Sequence, residues 1–479
     1  MQASLDGFVK EQALLRARVE AWDTTKPTLC PLAVGAPTRP CEVVSDKDFR
    51  TDYNIDDSQA PNQDVRHLAD RLQKILKAET ENARQSLNIE TGDMFRIIRV
   101  THSGGPSDEG VVVLVVNHIV TDGMGGLEFF SRLIRRAISP EDYPKMEPKH
   151  APQLPPALES TINLKPSALT IASTVWSELV LPKLPAFLGK RLMDPTSKLI
   201  WPEWPGPMNP SERDTVDKST LSCEHMIVVL PSDLINRLYA TMAAHILPPR
   251  TPRLKLTSIL VAALYKAIHA TVDPSIEVVL ESNVALSERD PAKGHPEFLG
   301  NVMVPGPYRW KFGPGNGGKD ERELVWEVAE DLARGLEGGM RISGRETWGM
   351  TAYIPDGVED DIEILHRTSS SPTRHRGSFT GWETFFSNPG KRTTYSSSLQ
   401  FSNLGRVPTS FPPVDAIVWG HPAACFGAQA IEVDCIGTSG GEVWLCFNWR
   451  EAGMMGEKKV RGIVEGFKGV LERLSDGQV

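Results

Sequence analysis

The sequence predicts an α/β protein in two halves. Three observations predict it: strand-like and helix-like segments alternate before residue 140, the same order recurs after residue 215, and a proline-dense stretch separates the two runs. Of 37 prolines, 14 fall between Pro140 and Pro210. Proline has no amide donor and fixes φ, so this density excludes continuous helix or central strand and predicts an extended crossover between two compact bodies. The expected organisation is a first half over 1–140, a Pro-rich crossover over 141–214 and a second half over 215–479.

In the first half, apolar residues near helical spacing predict helices over 5–22 and 65–81. Residues 95–101 and 110–117 are rich in β-branched side chains, as strands are, and 124–138 returns to helical spacing. In the crossover, 167–190 is more apolar than its surroundings. Pro182 and Pro185 interrupt it and basic residues are few, so it is expected to pack against the protein body and not on a membrane surface. In the second half, 225–230 reads as a strand and 232–244 as a helix with Ser232 and Asp233 at its cap. Helices follow over 255–269, 320–335 and 457–474, and strands over 277–283, 396–401 and 443–449.

A chain of 479 residues that is 40% hydrophobic and 24% charged is ordinary for a globular protein, which excludes collagen-like, coiled-coil and wholly disordered readings. Its net charge of -9 offers no basic surplus to phosphate backbones or anionic lipid, so nucleic acid is not an expected partner. With no run of about 18 apolar residues and no basic-then-apolar beginning, the expectation is a soluble, cytoplasmic protein without a transmembrane segment. The six cysteines, Cys30, Cys41, Cys223, Cys425, Cys435 and Cys446, form no C-x-x-C pair; reduced thiols and no metal site are expected.

Two glycine motifs fail on context. Gly313 to Lys319 satisfies G-x-G-x-x-G and most of a phosphate-binding loop, but Asp320 stands where that loop needs a hydroxyl. The stretch ahead, 308–312, is short and basic and not an apolar strand, so a surface loop is expected, with Asp320 and Glu323 opening the next helix. Gly437 to Gly441 matches the G-x-S-x-G elbow of hydrolases. That elbow must lead into a helix, whereas 442–449 is strand-like, so a hairpin turn is expected.

H-x-x-x-D occurs twice. His269 and Asp273 end a helix just before a proline, which is how helices ordinarily stop, so His269 reads as structural. His118, Asp122 and Gly123 follow the apolar run 111–117 and precede a glycine-rich turn that opens a helix. An imidazole at the end of a buried strand, beside a tight turn, is placed where a cleft would expose it. Spacing alone leaves open the alternative of a hydrogen-bonded core histidine with Asp122 capping the helix.

These residues resemble the H-x-x-x-D-G motif of the acyl-CoA-dependent acyltransferases built like chloramphenicol acetyltransferase, which include plant acyltransferases, fungal alcohol acetyltransferases and peptide-synthetase condensation domains. The agreement runs in order along nearly the whole chain. Residues 14–19 look like the family's first helix, and 283–289 followed by Leu299, Gly300 and Asn301 are similar to its arginine segment and L-G-N step. Phe401 to Gly405 is close to the S-N-x-G strand of the fungal alcohol acetyltransferases, the branch this chain resembles most. The D-F-G-W-G motif of the plant branch is missing, with Trp419, Gly420, His421 and Pro422 at most a remnant.

The resemblance implies two chloramphenicol acetyltransferase-like domains, each a mixed sheet with packed helices, meeting at a substrate tunnel. It implies transfer of an acyl group, expected to be acetyl, from acyl-CoA as co-substrate to a hydroxyl or amine of a small molecule, with no permanently bound cofactor and no covalent enzyme intermediate. His118 would be the general base. Asp122 would turn away from it and pair with an arginine of the second half, for which Arg289 is the candidate; Gly123 would permit the tight backbone, and Ser402, Asn403 and Gly405 would line the tunnel. A monomer is expected. Two rivals remain: a condensation-type enzyme whose donor rides on a carrier protein, and a binding or scaffold protein that kept the fold without turnover. The family also begins with a strand ahead of its first helix. This chain starts almost inside that helix, so a first-half sheet one strand short, with an open edge, is expected.

Overall fold

The computed structural model describes residues 9, 12–20, 28–31, 44–55, 65–101, 110–139, 153–180, 184, 201, 223–245, 252–272, 277–290, 299–313, 320–350, 363–365, 374–376, 397–408, 411–412, 414–422, 429–450 and 455–476. The first half is built on a sheet in the order β3–β4–β5, of Val44–Asp48, Phe95–Thr101 and Gly110–Val116. β3 lies parallel and β5 antiparallel to β4. Both faces of β4 are covered along its middle, where Phe95, Ile97, Ile98 and Val100 are buried, while Arg99 stays exposed. Ile98 and Val100 pack towards α1 (Val65–Ser86) through Ile75, while Phe95 and Ile97 meet Phe129 and Leu133 of α2 (Gly123–Ile138). β4 is thus paired on both sides, and β3 and β5 are the edges of this sheet among the described residues.

The expected helix over 5–22 is corrected. Ala13–Arg16 is one 3-10 turn, and Ala17–Glu20 is a strand, β1, paired antiparallel with β2 (Thr28–Pro31). The period here is two: Ala17 and Val19 are buried, while Arg18 and Glu20 face solvent and pair with each other at 2.6 Å. Residues 14–19, likened to a first helix, thus straddle the turn and the strand.

The second half is a six-stranded mixed sheet in the order β6–β13–β12–β11–β7–β8. Its strands are β6 (Cys223–Leu230), β7 (Val278–Ser287), β8 (Met303–Phe312), β11 (Ser397–Arg406), β12 (Gln429–Gly437) and β13 (Val443–Arg450), and apart from it β9 (Glu363–Leu365) pairs antiparallel with β10 (Arg374–Arg376). β11 runs parallel to both β7 and β12, and the other pairs are antiparallel. One face of this sheet buries the largest core, supplied by α3 (Ser232–Ala244), α4 (Leu256–His269), α5 (Glu321–Glu337) and α7 (Glu457–Asp476). α4 is buried from Ser258 through Tyr265, as a helix with neighbours on every side must be. α6 (Gly339–Met350) lies on β8.

Several local expectations change. Pro231, not Ser232, is the N-cap of α3, and no side chain caps it. The stretch 308–312, read as no proper strand, is the end of the ten-residue β8, whose alternate side chains are buried. Residues 314–319 of the glycine-rich motif lie outside the described residues, and Asp320 caps α5 by accepting from the Arg322 amide. The second glycine motif joins β12 to β13 as a turn, with Gly441 at φ 98°. His269 stacks on Phe312 at 4.4 Å, and burial pushes its pKa down, so it is a packing residue.

Of the crossover, the stretch 164–170 touches α6. Ile162 and Pro166 are buried, and Glu346 accepts from the Ser167 amide at 3.0 Å and the Thr170 hydroxyl at 2.6 Å. Ala168–Thr174 is helical and runs into a π-helical turn, Val175–Val180, leaving Leu169 and Trp176 exposed. The expectation of packing against the protein body thus holds for one side of this segment, and 181–190 lies outside the described residues apart from Leu184. Among the described residues no helix is long and apolar enough to cross a membrane.

The halves share a core. Ala69, Leu72 and Leu127 of the first cluster with Ile227, Leu404, Ile436, Trp444 and Cys446 of the second. Polar contacts cross there too: the Ile227 amide donates to Gln73 at 3.0 Å, and Lys77 pairs with Glu224 at 2.7 Å. The face of the six-stranded sheet opposite its own helices is therefore the face that meets the first half.

Candidate active site

The site forms where β5 ends. Asn117 turns the chain: its amide donates to the Met94 carbonyl at 2.8 Å, its side-chain oxygen accepts from the Ile119 amide at 3.0 Å, and its own carbonyl accepts from Val120 at 3.0 Å. His118 sits on this turn with its imidazole exposed. Asn301, from the second half, lies with Nδ2 3.1 Å from His118 Nδ1.

Asp122 points the other way and is buried, 5% exposed. Its Oδ1 accepts from the Gly125 amide at 2.8 Å, which caps α2. Its Oδ2 accepts from Arg289 Nη2 at 2.7 Å and from the Val302 amide at 2.8 Å. Arg289 also donates to the carbonyls of Gly300, at 2.9 Å, and Leu299, at 3.4 Å. The Gly300 amide donates to Val120 at 2.7 Å, and Thr121 bridges to Gly300 as a short parallel pair. One carboxylate thus ties the helix start, an arginine and a backbone amide together, and locks the 118–122 turn to 299–302 of the opposite half.

Gly123 is required for space. Its φ is not in the left-handed region; instead a β-carbon would stand 2.8 Å from Leu404 Cδ2 and 3.1 Å from Trp419 Cη2. On β11, Ser402 is buried on the same face as Leu404, the face that meets the first half. The Asn403 side chain is engaged locally, donating to Thr257 Oγ1 at 3.0 Å and accepting from the Gly405 amide at 2.7 Å. Gly405 takes φ 73°, which glycine adopts without steric cost.

The structure therefore brings His118, Asp122, Gly123 and Arg289 to one junction, with Leu404 against Gly123, while Asn403 and Gly405 lie at an irregularity in the register of β11 with β12. Sequence reasoning gave no role to Asn301 or to the Val302 amide. The L-G-N step was the available signal for both, because it places them directly after the Gly300 bridge.

No family model matches the chain, and no curated protein matches it. Solved structures do. The trichothecene 15-O-acetyltransferase TRI3 from Fusarium sporotrichioides is similar with a TM-score of 0.58 at 12% identity, over 99% of this chain and 85% of that one. The epimerization domain of tyrocidine synthetase B, TycB3(E), gives 0.51 at 12% identity over 100% and 90%. The EpoB cyclization-docking bidomain from Sorangium cellulosum gives 0.51 at 13% over 99% and 76%. The protein has the two-sheet α/β fold shared by chloramphenicol acetyltransferase-like acyltransferases and by the condensation-type domains of peptide synthetases.

Proposed function

We propose that the protein is an acyltransferase that moves an acyl group from a CoA thioester to the hydroxyl or amine of a small molecule, with His118 as the general base. The observation that carries this reading is the exposed imidazole of His118 on a turn locked from behind by Asp122, Arg289 and the Val302 amide, at the junction of the two halves. An alcohol attacks a thioester poorly while it keeps its proton. His118 takes that proton as the acceptor oxygen bonds to the carbonyl carbon; the tetrahedral adduct then collapses, the carbon–sulfur bond breaks and the imidazolium returns the proton to the sulfur.

A base acting through Nε2 needs its own proton on Nδ1. Asn301, 3.1 Å from Nδ1, is the group that can hold that tautomer, when its amide turns the oxygen towards the ring. Acetyl as the acyl group, and a place beside the fungal alcohol acetyltransferases, belong to this reading; the acetyltransferase TRI3 among the similar folds is in keeping with the first. The similarity to an epimerization domain and a cyclization-docking bidomain keeps one second reading, a donor carried on a carrier protein.

The test is thiol release from a panel of acyl-CoAs with alcohol and amine acceptors. His118→Ala should lower turnover by about 10² to 10⁴ while leaving the melting temperature unchanged. Unchanged turnover overturns the assignment of the base. Turnover with an acylated carrier protein and none with any acyl-CoA selects the second reading.

A further inference from the structure

Behind the site, the face of the six-stranded sheet that meets the first half carries a buried polar network. Glu432 and Asp434 are two residues apart on β12, on one face, with side chains 2% and 0% exposed. His421, from the 414–422 loop, lies between them. Its Nε2 is 2.7 Å from Glu432 Oε2, its Nδ1 is 2.9 Å from Asp434 Oδ2, and its backbone amide donates to that same oxygen at 3.0 Å. Gln400 on β11 is 3.1 Å from Nε2. On β13, Asn448 donates to Asp434 Oδ2 at 2.9 Å, while its oxygen meets His225 Nδ1 of β6 at 2.6 Å and Cys446 Sγ at 3.2 Å. Further out, Lys77 of α1 is paired with Glu224.

Two carboxylates placed so deeply are costly without a cation between them. Burial opposes a charged imidazole, yet Asp434 and Glu432 together hold His421 well above its ordinary range, while burial pushes His225 down and Asp434 up. Of the two histidines in the network, His421 is the charged one.

The network reaches the site through Trp419. The Trp419 ring stacks near His421, 5.7 Å between centroids at 22°, and its Nε1 donates to the Cys435 carbonyl at 3.3 Å. The far edge of that ring closes on Gly123, the residue after Asp122.

We propose that His421 is a positioning residue for the His118 turn: ion-paired between Glu432 and Asp434, it fixes the 414–422 loop so that Trp419 backs Gly123. The inference rests on the acyl-transfer reading for its catalytic consequence, and on geometry alone for the coupling between loop and turn.

The experiment compares wild type, His421→Gln, Trp419→Ala and the double variant, reading acyl-transfer kinetics and amide hydrogen exchange below the melting temperature of each. His421→Gln should lower kcat by about tenfold or more with KM for the acyl donor little changed, because a displaced base costs turnover and not binding. Trp419→Ala should do the same, and the double variant should lose no more than either, as expected of residues acting in one chain of contacts. Exchange should rise in peptides spanning 118–126 as well as 414–422, with 457–476 unchanged. A lower melting temperature with wild-type kcat and exchange altered only around 414–434 overturns the proposal. A wild type with no acyl transfer, but with exchange at 118–126 raised by His421→Gln, sinks the acyl-transfer reading and leaves the coupling standing; unaltered exchange there sinks the coupling.

Discussion

Asp122 meets two separate needs with two oxygens, and its substitutions separate them. Asp122→Asn keeps one acceptor oxygen but withdraws the negative charge from Arg289, whose side chain is only 11% exposed. Withdrawing the charge that faces a poorly solvated guanidinium should cost up to about 3–5 kcal/mol, read as a lower midpoint in urea unfolding. A midpoint within error of wild type would mean that the Gly300 and Leu299 carbonyls suffice for Arg289. Gly123→Ala tests space: with Leu404 Cδ2 2.8 Å from the added carbon, overpacking should cost about 1–3 kcal/mol. An unchanged stability would show that Leu404 and Trp419 can retreat freely. The Asp122–Arg289 contact was legible through the family resemblance, which sets an arginine of the second half on the motif aspartate. The His421 network was not: no strand was expected over 429–437, and Glu432 and Asp434, alternating with Ile431, Val433 and Cys435, have the pattern of a half-exposed strand although every one of them is buried.

Elements with strong periodicity were legible and those made by their surroundings were not. β4, β5, α1, α2, α4 and α7 announce themselves through one apolar face or a β-branched run. The short β1 was absorbed into a helical pattern because four residues of alternation carry little weight beside the apolar residues around them. α6 had no pattern to find: its glycines at 339, 344 and 349 disfavour helix, and it exists because two of them let other backbone come close. A β-carbon on Gly344 would overlap the Pro305 carbonyl, and one on Gly349 would overlap the Leu164 carbonyl. Gly349→Ala should therefore push the 162–166 segment off α6 and expose the crossover to protease. Limited proteolysis should show earlier cleavage within 153–180, whereas Gly339→Ala, with open space around it, should leave the pattern unchanged. Equal cleavage in both variants would mean that Glu346 alone, through Ser167 and Thr170, holds the segment.

At the scale of the whole molecule, the core shared by α1, α2 and the second sheet makes the halves one cooperative unit, so a group buried between them titrates against global stability. Two histidines there pull in opposite directions. His225 is pushed down by burial; its contribution is whole above the ordinary histidine value of about 6.5 and is lost as pH falls through its lowered folded value. His421 is raised by Asp434 and Glu432 against the cost of burial; its contribution is whole below about 6.5 and is lost as pH rises through its raised folded value. Unfolding free energy measured in urea from about pH 5 to 9 should therefore decline on both sides of a maximum near neutrality. His269, likewise pushed down by burial, shares the acid limb with His225. His421→Gln should flatten the alkaline limb and leave the acid limb, and His225→Gln should shrink the acid limb to the share of His269 while leaving the alkaline one. An alkaline limb that survives in His421→Gln would place the responsible proton elsewhere, with Asp434, itself raised by burial, the next group to replace, by Asp434→Asn.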